Sequence, residues 1–236
     1  MATMNKHTFT HFDTELESIQ KRLLAMGGLV IQQLIDAIDG LSTADAVLVD
    51  KVISTDRRVN DEEVALDEAC IQMIARHAPA AGDLRMAMTV IQMITDLERV
   101  GDEAKKIAKA ARRIIDSEAA FVPKVELRHI SAMVVDMLQR ALDAFARTDP
   151  SSSADIVRKD KEVDAIFKGI MRQLITYMME DPRLITHSLD VLFIAKSIER
   201  IGDHAKNISE YVVYLVKGRD VRHGGVETLE REAGKT

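Results

Sequence analysis

One eleven-residue pattern occurs twice in this chain, at residues 97–107 (LERVGDEAKKI) and again at residues 198–208 (IERIGDHAKNI). Both copies contain an acid, an arginine, an apolar residue, a glycine and a second acid in the same order. The separation, 198 minus 97, is 101 residues and approaches half of the 236-residue chain. A repeat of this length indicates two copies of one structural unit. The fold must therefore place the same charged groups at equivalent positions in two like halves.

The repeat extends beyond this pattern. Residues 36–38 match residues 143–145 at a separation of 107, and residues 56–60 match residues 160–164 at a separation of 104. The separation falls by three from one matched segment to the next and stays constant within each segment. Insertions and deletions are tolerated mainly in loops. The pattern therefore predicts a tandem repeat of helices joined by loops of variable length.

Apolar residues recur at helical spacing through both halves, and no segment alternates with the period of two expected of a strand. Ser42 with Asp45 resembles an N-terminal capping box, Pro123 suits a first helical position, and Asp149-Pro150 and Asp181-Pro182 resemble helix starts. We predict an all-α fold, a tandem repeat of two antiparallel three-helix bundles. The predicted helices cover residues 12–41, 42–76, 82–117, 123–148, 150–179 and 182–217. The predicted units are residues 12–118 and 122–218, followed by a loose C-terminal tail at residues 219–236.

Composition excludes several classes of protein. The net charge of −6 argues against sequence-independent binding of nucleic acid, which needs a positive surface. Cys70 is the one cysteine, so no disulfide within the chain is possible and a reducing compartment is favoured. The N-terminal residues lack the apolar core of a signal peptide, and no charge-free apolar run reaches about 18 residues. We expect a cytoplasmic protein that meets a membrane only through partner complexes.

Each half carries two strings in which acidic or amide side chains are four residues apart. Such residues share one helix face, and two like charges there repel each other. Repetition of this arrangement in both halves suggests that a bound cation compensates the repulsion. Oxygen ligands from facing helices suit Mg²⁺, Mn²⁺, Fe or Ca²⁺, and helical bundles do build carboxylate metal sites. The candidate ligands are Asp56 and Asn60, Glu98 and Asp102, Asp160 and Asp164, and Glu199 and Asp203.

A solvated acidic face is the alternative. Asp102 can pair with Lys105 or Lys106, and Asp203 can pair with Lys206, without any metal. Arg99 and Arg200 are further candidate partners on neighbouring turns. His204 follows Asp203 and is a possible additional ligand, although Glu103 occupies the equivalent position in the first half.

Gly101 and Gly202 occupy the same position in the two copies. A glycine inside a helix costs about 1 kcal/mol relative to alanine. Its presence in both copies predicts close approach of a second backbone or of a bound group. A helix crossing without any ligand is the alternative explanation.

These motifs resemble the PhoU family of phosphate-uptake regulators, most clearly through residues 97–102 and 198–208, with Asp83-Leu84-Arg85 and residues 213–218 in support. The resemblance implies two PhoU-type bundles in a non-enzymatic negative regulator of the phosphate-starvation response and of phosphate uptake. It implies a homodimer and two partners, a phosphate-sensing histidine kinase and the ATPase subunit of the phosphate transporter. It also implies a metal on the acidic strings, which could be Fe, Mn, Mg, Zn or Ca. Asn60 stands where the family usually has aspartate, and an amide is a weaker, neutral ligand.

Two other functions remain open from the sequence. A metal-dependent hydrolase would use the acidic strings as a multinuclear centre, but no base or nucleophile is evident beside them. A purely structural bundle would use the acids only to solvate its surface. Metal content and phosphoester turnover separate these alternatives from the regulator.

Overall fold

The computed structural model describes residues 3–117, 123 and 125–221, with side chains described from residue 11 onward. The described part of the chain contains six α-helices, two single-turn 3₁₀ segments and no strand. The 3₁₀ segments, Pro150–Ser152 and Pro182–Leu184, immediately precede the last two helices. The helices are α1 (Thr3–Thr43), α2 (Ala46–His77), α3 (Ala81–Asp116), α4 (Leu127–Arg147), α5 (Ser153–Glu180) and α6 (Ile185–Lys217). The predicted all-α fold is confirmed.

The helices pack as two three-helix bundles. In the first bundle α1, α2 and α3 contact one another, and in the second α4, α5 and α6 do the same. The bundles meet through α3 against α6 and α1 against α4. Apolar side chains of both bundles form one continuous buried core. The repeat therefore folds as two similar bundles that share a single hydrophobic interior.

Helix α3 lies between three other helices. Its buried side chains surround the helix axis instead of forming one stripe, as expected for a helix with neighbours on several sides. Many of them are small, including Ala104, Ala108 and Ala111, which are fully buried. Small side chains let neighbouring helices approach α3 closely. The string that contains Glu98 and Asp102 is therefore carried on the most constrained helix of the first bundle.

The predicted cap at Ser42 is wrong. Helix α1 continues to Thr43, and Ser42 Oγ donates a hydrogen bond to the Ile38 carbonyl, four residues earlier in the same helix. Asp45 is the N-cap of α2, because its Oδ1 accepts hydrogen bonds from the backbone N–H groups of Val47 and Leu48, both at 3.0 Å. Asp45 caps the helix because the chain turns after α1, and this turn leaves the Asp45 carboxylate facing the free N–H groups of α2.

The start of α4 differs from the prediction, whereas the starts of the last two helices and the end of α6 agree with it. Pro123 is not helical, and α4 begins at Leu127, so the predicted start of the fourth helix is wrong. Asp149 and Asp181 are N-caps of the two 3₁₀ segments, each followed by proline, as predicted. Gly218 ends α6 with a φ of 69°, a left-handed conformation that glycine adopts without strain.

The start of the predicted tail is packed against the second bundle. Val221 is buried and contacts a small apolar cluster formed by Ala154, Val157 and Val213. Val221 is therefore packed against the bundle, whereas Arg219 and Asp220 are exposed. The rest of the predicted tail, residues 222–236, lies outside the described residues.

Helix α1 contains the one described segment that is long and apolar enough to cross a membrane, within His11–Thr43. The segment is not charge-free, so it does not contradict the expectation that no charge-free apolar run reaches about 18 residues. More than half of its most apolar window, 56%, is buried inside the bundle. Core helices of soluble proteins pass the same test, and the burial of Leu23, Val30 and Leu34 accounts for the composition.

Cys70 lies in the core on α2, as the apolar surroundings in the sequence suggested. Burial, with a smaller contribution from Asp67, raises the pKa of its thiol to about 11. The side chain is therefore a neutral, buried thiol at physiological pH.

Candidate functional site

The two acidic strings of the first half face each other across α2 and α3. Asp56 on α2 is 3% exposed, and its Oδ2 accepts a hydrogen bond of 2.5 Å from Lys105 Nζ on α3. That hydrogen bond raises the pKa of Lys105, although burial acts in the opposite direction. The other oxygen, Asp56 Oδ1, is buried and lacks a hydrogen-bond partner among the described residues. The lysine therefore satisfies only half of this buried carboxylate.

Glu98 and Asp102 lie beside Asp56. Burial raises the pKa of Glu98, and the nearby charges of Asp102 and Asp56 raise it further. Arg99 and Lys106 oppose the shift. The charges of Asp102 and Asp56 therefore act on Glu98, which is consistent with the three carboxylates lying near one another. We refer to Asp56, Glu98 and Asp102, with Glu63, as the first acidic cluster.

Glu63 belongs to this cluster and was not identified from the sequence. Burial raises its pKa, followed by the charges of Glu98 and Asp67. A signal was present, because Asp56, Asn60, Glu63 and Asp67 are spaced at intervals of four, three and four residues, which places them on one face of α2. Asn60 itself is exposed. The carboxylate of Glu63, one turn further along α2, adds an oxygen ligand near Asn60, the amide that departs from the family pattern.

The second half repeats the central ion pair. Asp160 on α5 is 5% exposed, and its Oδ2 accepts a hydrogen bond of 3.1 Å from Lys206 Nζ on α6. The separations are 104 residues for the aspartates and 101 for the lysines, which are the separations of the repeat itself. Burial raises the pKa of Asp160, Lys206 opposes the shift, and Asp203 and Asp164 contribute to it. We refer to Asp160, Asp164 and Asp203 as the second acidic cluster.

Glu199 is held differently from its counterpart Glu98. Both of its carboxylate oxygens accept hydrogen bonds from Lys196 on the same helix, at 2.6 and 2.5 Å. Lys196 Nζ also lies 5.3 Å from the centre of the Phe167 ring. By the repeat separations, Phe167 is the second-half equivalent of Glu63, and Lys196 is the equivalent of Thr95. The second half thus has the Phe167 ring where the first half has the Glu63 carboxylate. It also has the additional cation Lys196, whose charge compensates that of Glu199.

The paired glycines lie at close contacts between helices. A Cβ atom added to Gly101 would lie 3.2 Å from Val59 Cγ1 and 3.4 Å from Gln33 Oε1. At Gly202 the added atom would lie 3.5 Å from Val134 Cγ2 and 3.7 Å from Asp160 Oδ1. The glycines thus allow close packing beside the acidic clusters, and the crowding is tighter in the first half.

Lysines compensate part of the acidic charge, through pairs within one helix and through a pair between helices. Asp102 pairs with Lys106 at 3.0 Å, and Asp203 lies 4.0 Å from Lys206, as the solvated-face alternative expected. Of the two lysines named as possible partners of Asp102, Lys106 forms that pair, and Lys105 reaches across to Asp56 on α2. The interhelix pair could not be inferred from spacing along one helix.

Arg200 and His204 face the other half instead of the acidic strings. Arg200 Nη1 donates a hydrogen bond of 3.3 Å to Glu103 Oε1, and His204 Nδ1 lies 2.7 Å from Asp96 Oδ1. The expected roles of Arg200 as a partner of the acidic strings and of His204 as an additional ligand are therefore wrong. On a helix, His204 points away from Asp203 by about 100° because successive residues are rotated by that angle.

These contacts define how α3 and α6 pack. Arg113 donates to Asp190 Oδ1 through two nitrogens, at 2.9 and 2.5 Å. Partner numbers on α6 fall as numbers on α3 rise, from His204 at Asp96 to Asp190 at Arg113, so the two helices are antiparallel. The face of α3 that meets α6 differs from the face that carries Glu98, Asp102 and Lys105. The acids Glu98 and Asp102 of the first cluster therefore lie on a different face of α3 from the junction of the halves.

Comparison with known proteins agrees with this architecture. The PhoU domain model matches residues 23–111 and again residues 127–212. The chain is 44% identical over 234 residues to the phosphate-specific transport system accessory protein PhoU homolog of Pseudomonas aeruginosa, covering 97% of each chain. It is 46% identical over 228 residues to the phosphate-specific transport system accessory protein PhoU of Escherichia coli K12, covering 97% of this chain and 94% of that one.

Two crystal structures of PhoU proteins are also similar. PhoU from Pseudomonas aeruginosa superposes with a TM-score of 0.85 at 45% identity, covering 88% of this chain and all of that one. The phosphate transport system regulatory protein PhoU from Streptococcus pneumoniae gives a TM-score of 0.83 at 28% identity, covering 89% and 99%. The two matched segments coincide with the two bundles and with the duplicated motif. The chain therefore belongs to the PhoU domain family.

Proposed function

We propose that this chain is a regulatory, non-enzymatic accessory protein of a phosphate-specific transport system. The observation that carries the proposal is similarity along nearly the whole chain, at 44% to 47% identity, to proteins that bear this name. The similarity spans both matched domain segments of the chain as one unit.

The finer role is that of an adaptor and negative regulator. In this role the chain binds the ATPase subunit of the phosphate transporter and a phosphate-sensing histidine kinase, and it represses the starvation response when phosphate is plentiful. The doubled architecture supports an adaptor, since two like bundles joined back to back through α3 and α6 expose two similar surfaces. Each surface can serve one partner.

A deletion strain and a binding experiment test this role together. Deletion should leave phosphate-responsive genes active in phosphate-rich medium, and the intact chain should restore repression. Immobilised full-length protein should retain the transporter ATPase and the kinase. Normal repression in the deletion strain, together with no retention of either partner by folded protein, would reject the adaptor role.

We also propose that the acidic clusters bind metal cations. The residues fit a cation because Asp56 Oδ1 is a buried, unpartnered acceptor and because Glu98 is destabilised by two neighbouring carboxylates. A divalent cation would neutralise this repulsion and connect α2 to α3, or α5 to α6. The ligands would be Asp56, Glu63, Glu98 and Asp102, with Asn60, in the first half, and Asp160, Asp164 and Asp203, with Glu199, in the second.

Metal content of purified protein tests the cluster assignment. Glu98→Ala with Asp102→Ala, and Glu199→Ala with Asp203→Ala, should each lower the bound iron, manganese or magnesium measured by elemental analysis. Asp13 and Glu17 form a matched control, because they are exposed acids four residues apart on α1. Full metal content in both cluster variants would rule out these ligands, whereas loss in the Asp13→Ala/Glu17→Ala control would indicate nonspecific surface binding.

We propose further that the protein is cytoplasmic and forms a homodimer, reaching the membrane only through the transporter. Light scattering of the purified full-length chain measures the oligomeric state directly. A mass of about twice 26.3 kDa is expected. A monomer at micromolar concentration would contradict the dimer without affecting the adaptor role.

A further inference from the structure

A second group of metal-binding side chains lies away from the acidic clusters, where α1 meets the end of α2. His11 Nδ1 lies 3.3 Å from Glu15 Oε1, and His77 Nε2 lies 3.0 Å from Glu15 Oε2. One ligand atom from each of these three residues lies within 4.8 Å of the other two. Among the described residues, no other three histidine, cysteine or acidic side chains bring their ligand atoms within this distance of one another. The carboxylate oxygens of the acidic clusters lie farther apart than this.

The local structure holds the three side chains in place. His11 and Glu15 are four residues apart and therefore share one face of α1. His77 is the last residue of α2, and its side chain is 8% exposed. The Phe12 ring packs edge-on against the His77 ring, with centroids 5.5 Å apart. The His77 imidazole is therefore fixed by packing, while Glu15 remains accessible from the solvent side.

We propose that His11, Glu15 and His77 form a Zn²⁺ site. Two imidazoles and one carboxylate, with a fourth position left for water, form a recognised zinc ligand set. Tetrahedral Zn²⁺ with bonds of about 2.0–2.1 Å places its ligand atoms about 3.3 Å apart. The two imidazoles lie 3.3 and 3.0 Å from opposite oxygens of the Glu15 carboxylate, and one ligand atom from each residue lies within 4.8 Å of the other two, so an ion between them would draw these atoms closer together. Imidazole donors favour Zn²⁺ over the hard cations Mg²⁺ and Ca²⁺, which prefer oxygen.

Arg76 is a built-in competitor at this site. Its Nη1 donates a hydrogen bond to Glu15 Oε1, one of the oxygens that would approach the ion. The Arg76 side chain is 53% exposed and can turn into solvent without leaving a buried charge. Bound Zn²⁺ would displace the guanidinium from Glu15. Removal of the arginine should therefore strengthen zinc binding.

The proposed ion would connect the beginning of α1 to the end of α2. Neither end has a disulfide or another covalent constraint, because the chain contains a single cysteine. A bound ion that favours the folded state raises its apparent stability. Zinc would thus fasten one end of the first bundle independently of the acidic clusters.

Isothermal titration of the chelator-treated, untagged, full-length protein with ZnCl₂ tests the proposal. The wild-type protein should bind one Zn²⁺ through these residues. His11→Ala should weaken that binding by at least about tenfold. The substitution should not unfold the protein because His11 is exposed, and circular dichroism checks this. His129→Ala is the matched control, since it removes an exposed histidine on α4 and should leave the affinity unchanged.

Two further variants separate the possible origins of the binding. Arg76→Gln should raise zinc affinity several-fold, whereas Glu98→Gln with Asp102→Asn should leave it unchanged. Co²⁺ bound in place of Zn²⁺ should give the intense visible bands of tetrahedral coordination, and these should be lost in His11→Ala. Zinc binding that is equal in wild type and His11→Ala, or no binding at micromolar concentration, would overturn the site and leave only a hydrogen-bonded cluster.

Discussion

His204 Nδ1 lies 2.7 Å from Asp96 Oδ1 and joins the two halves of the repeat. Asp96 is 2% exposed, and Asn207 Nδ2 also approaches the same oxygen at 3.4 Å. The equivalent positions in the repeat are Glu103 and Ser197, so this contact lacks an identical symmetric copy. Instead, Glu103 accepts a hydrogen bond from Arg200 on α6. The polar contacts across the junction thus fix the register of α3 against α6.

Replacement of Asp96 by alanine should destabilise the protein by about 2 kcal/mol, because two donors from α6 lose their buried acceptor. Asp96→Asn keeps one oxygen acceptor and should recover part of the loss. Urea unfolding of both variants measures the effect. The exposed Asp61→Ala variant should change the free energy of unfolding by less than about 0.5 kcal/mol. Equal stability of all three variants would show that this junction contributes nothing.

Alanine should stabilise the protein more at Gly202 than at the equivalent Gly101. Gly202→Ala places its Cβ at ordinary contact distances, 3.5 Å or more, and should stabilise the protein by up to about 1 kcal/mol through helix propensity. Gly101→Ala places it 3.2 Å from Val59 Cγ1, so Val59 must shift and the gain should be cancelled or reversed. Thermal or urea unfolding of the two variants is the measurement. A larger gain at Gly101 would contradict the difference in packing.

The buried thiol of Cys70 should make stability fall at alkaline pH. Its pKa is 9.0 when unperturbed and about 11 in the fold. Between these values the folded state keeps a proton that the unfolded chain loses, so the free energy of unfolding decreases as pH rises. The loss due to this group should be about 1 kcal/mol at pH 10.

Cys70→Ala isolates this effect from the titration of lysines and tyrosines. The difference in stability between wild type and variant should be constant from pH 6 to about 8 and should shift towards the variant above pH 9. Unfolding curves at pH 7, 8, 9 and 10 provide the test. A difference that stays constant to pH 10 would show that the thiol titrates normally in the fold.

The first acidic cluster should bind divalent cations more tightly than the second. It contains Glu63, where the second half has Phe167, and it lacks a counterpart of Lys196, which already neutralises Glu199. Mn²⁺ titration followed by electron paramagnetic resonance should therefore show a stronger and a weaker class of site. Glu63→Gln should weaken the stronger class, and Lys196→Gln should strengthen the weaker one.

Each outcome of this titration has a distinct interpretation. Loss of the stronger class on substitution of Asp160 would reverse the assignment of the two classes. An unchanged titration in Glu63→Gln would mean that the carboxylate lies near the cluster without binding the ion. Exposed Glu68 on α2 provides the matched control, because Glu68→Gln removes one charge from the same helix.

Much of the fold was predictable from the sequence because helical periodicity and the repeat are local patterns. The six helices, the caps at Asp149-Pro150 and Asp181-Pro182 and the glycine end of α6 all follow from spacing and from short-range capping chemistry. The error at Ser42 arose where Ser42 and Asp45 compete for one helix end. That competition is decided by the path of the chain after the preceding helix, which short-range patterns do not contain.

The sequence by itself determined the duplication, the helical class and the faces of α2, α3, α5 and α6 that carry acids, because residues four apart always share a helix face. Only the tertiary structure decided which partners those faces meet. It directed Lys105 to Asp56, Arg200 to Glu103 and His204 to Asp96, and it brought His11 to His77. These contacts join residues far apart in the chain, so they depend on how whole helices pack around a shared core.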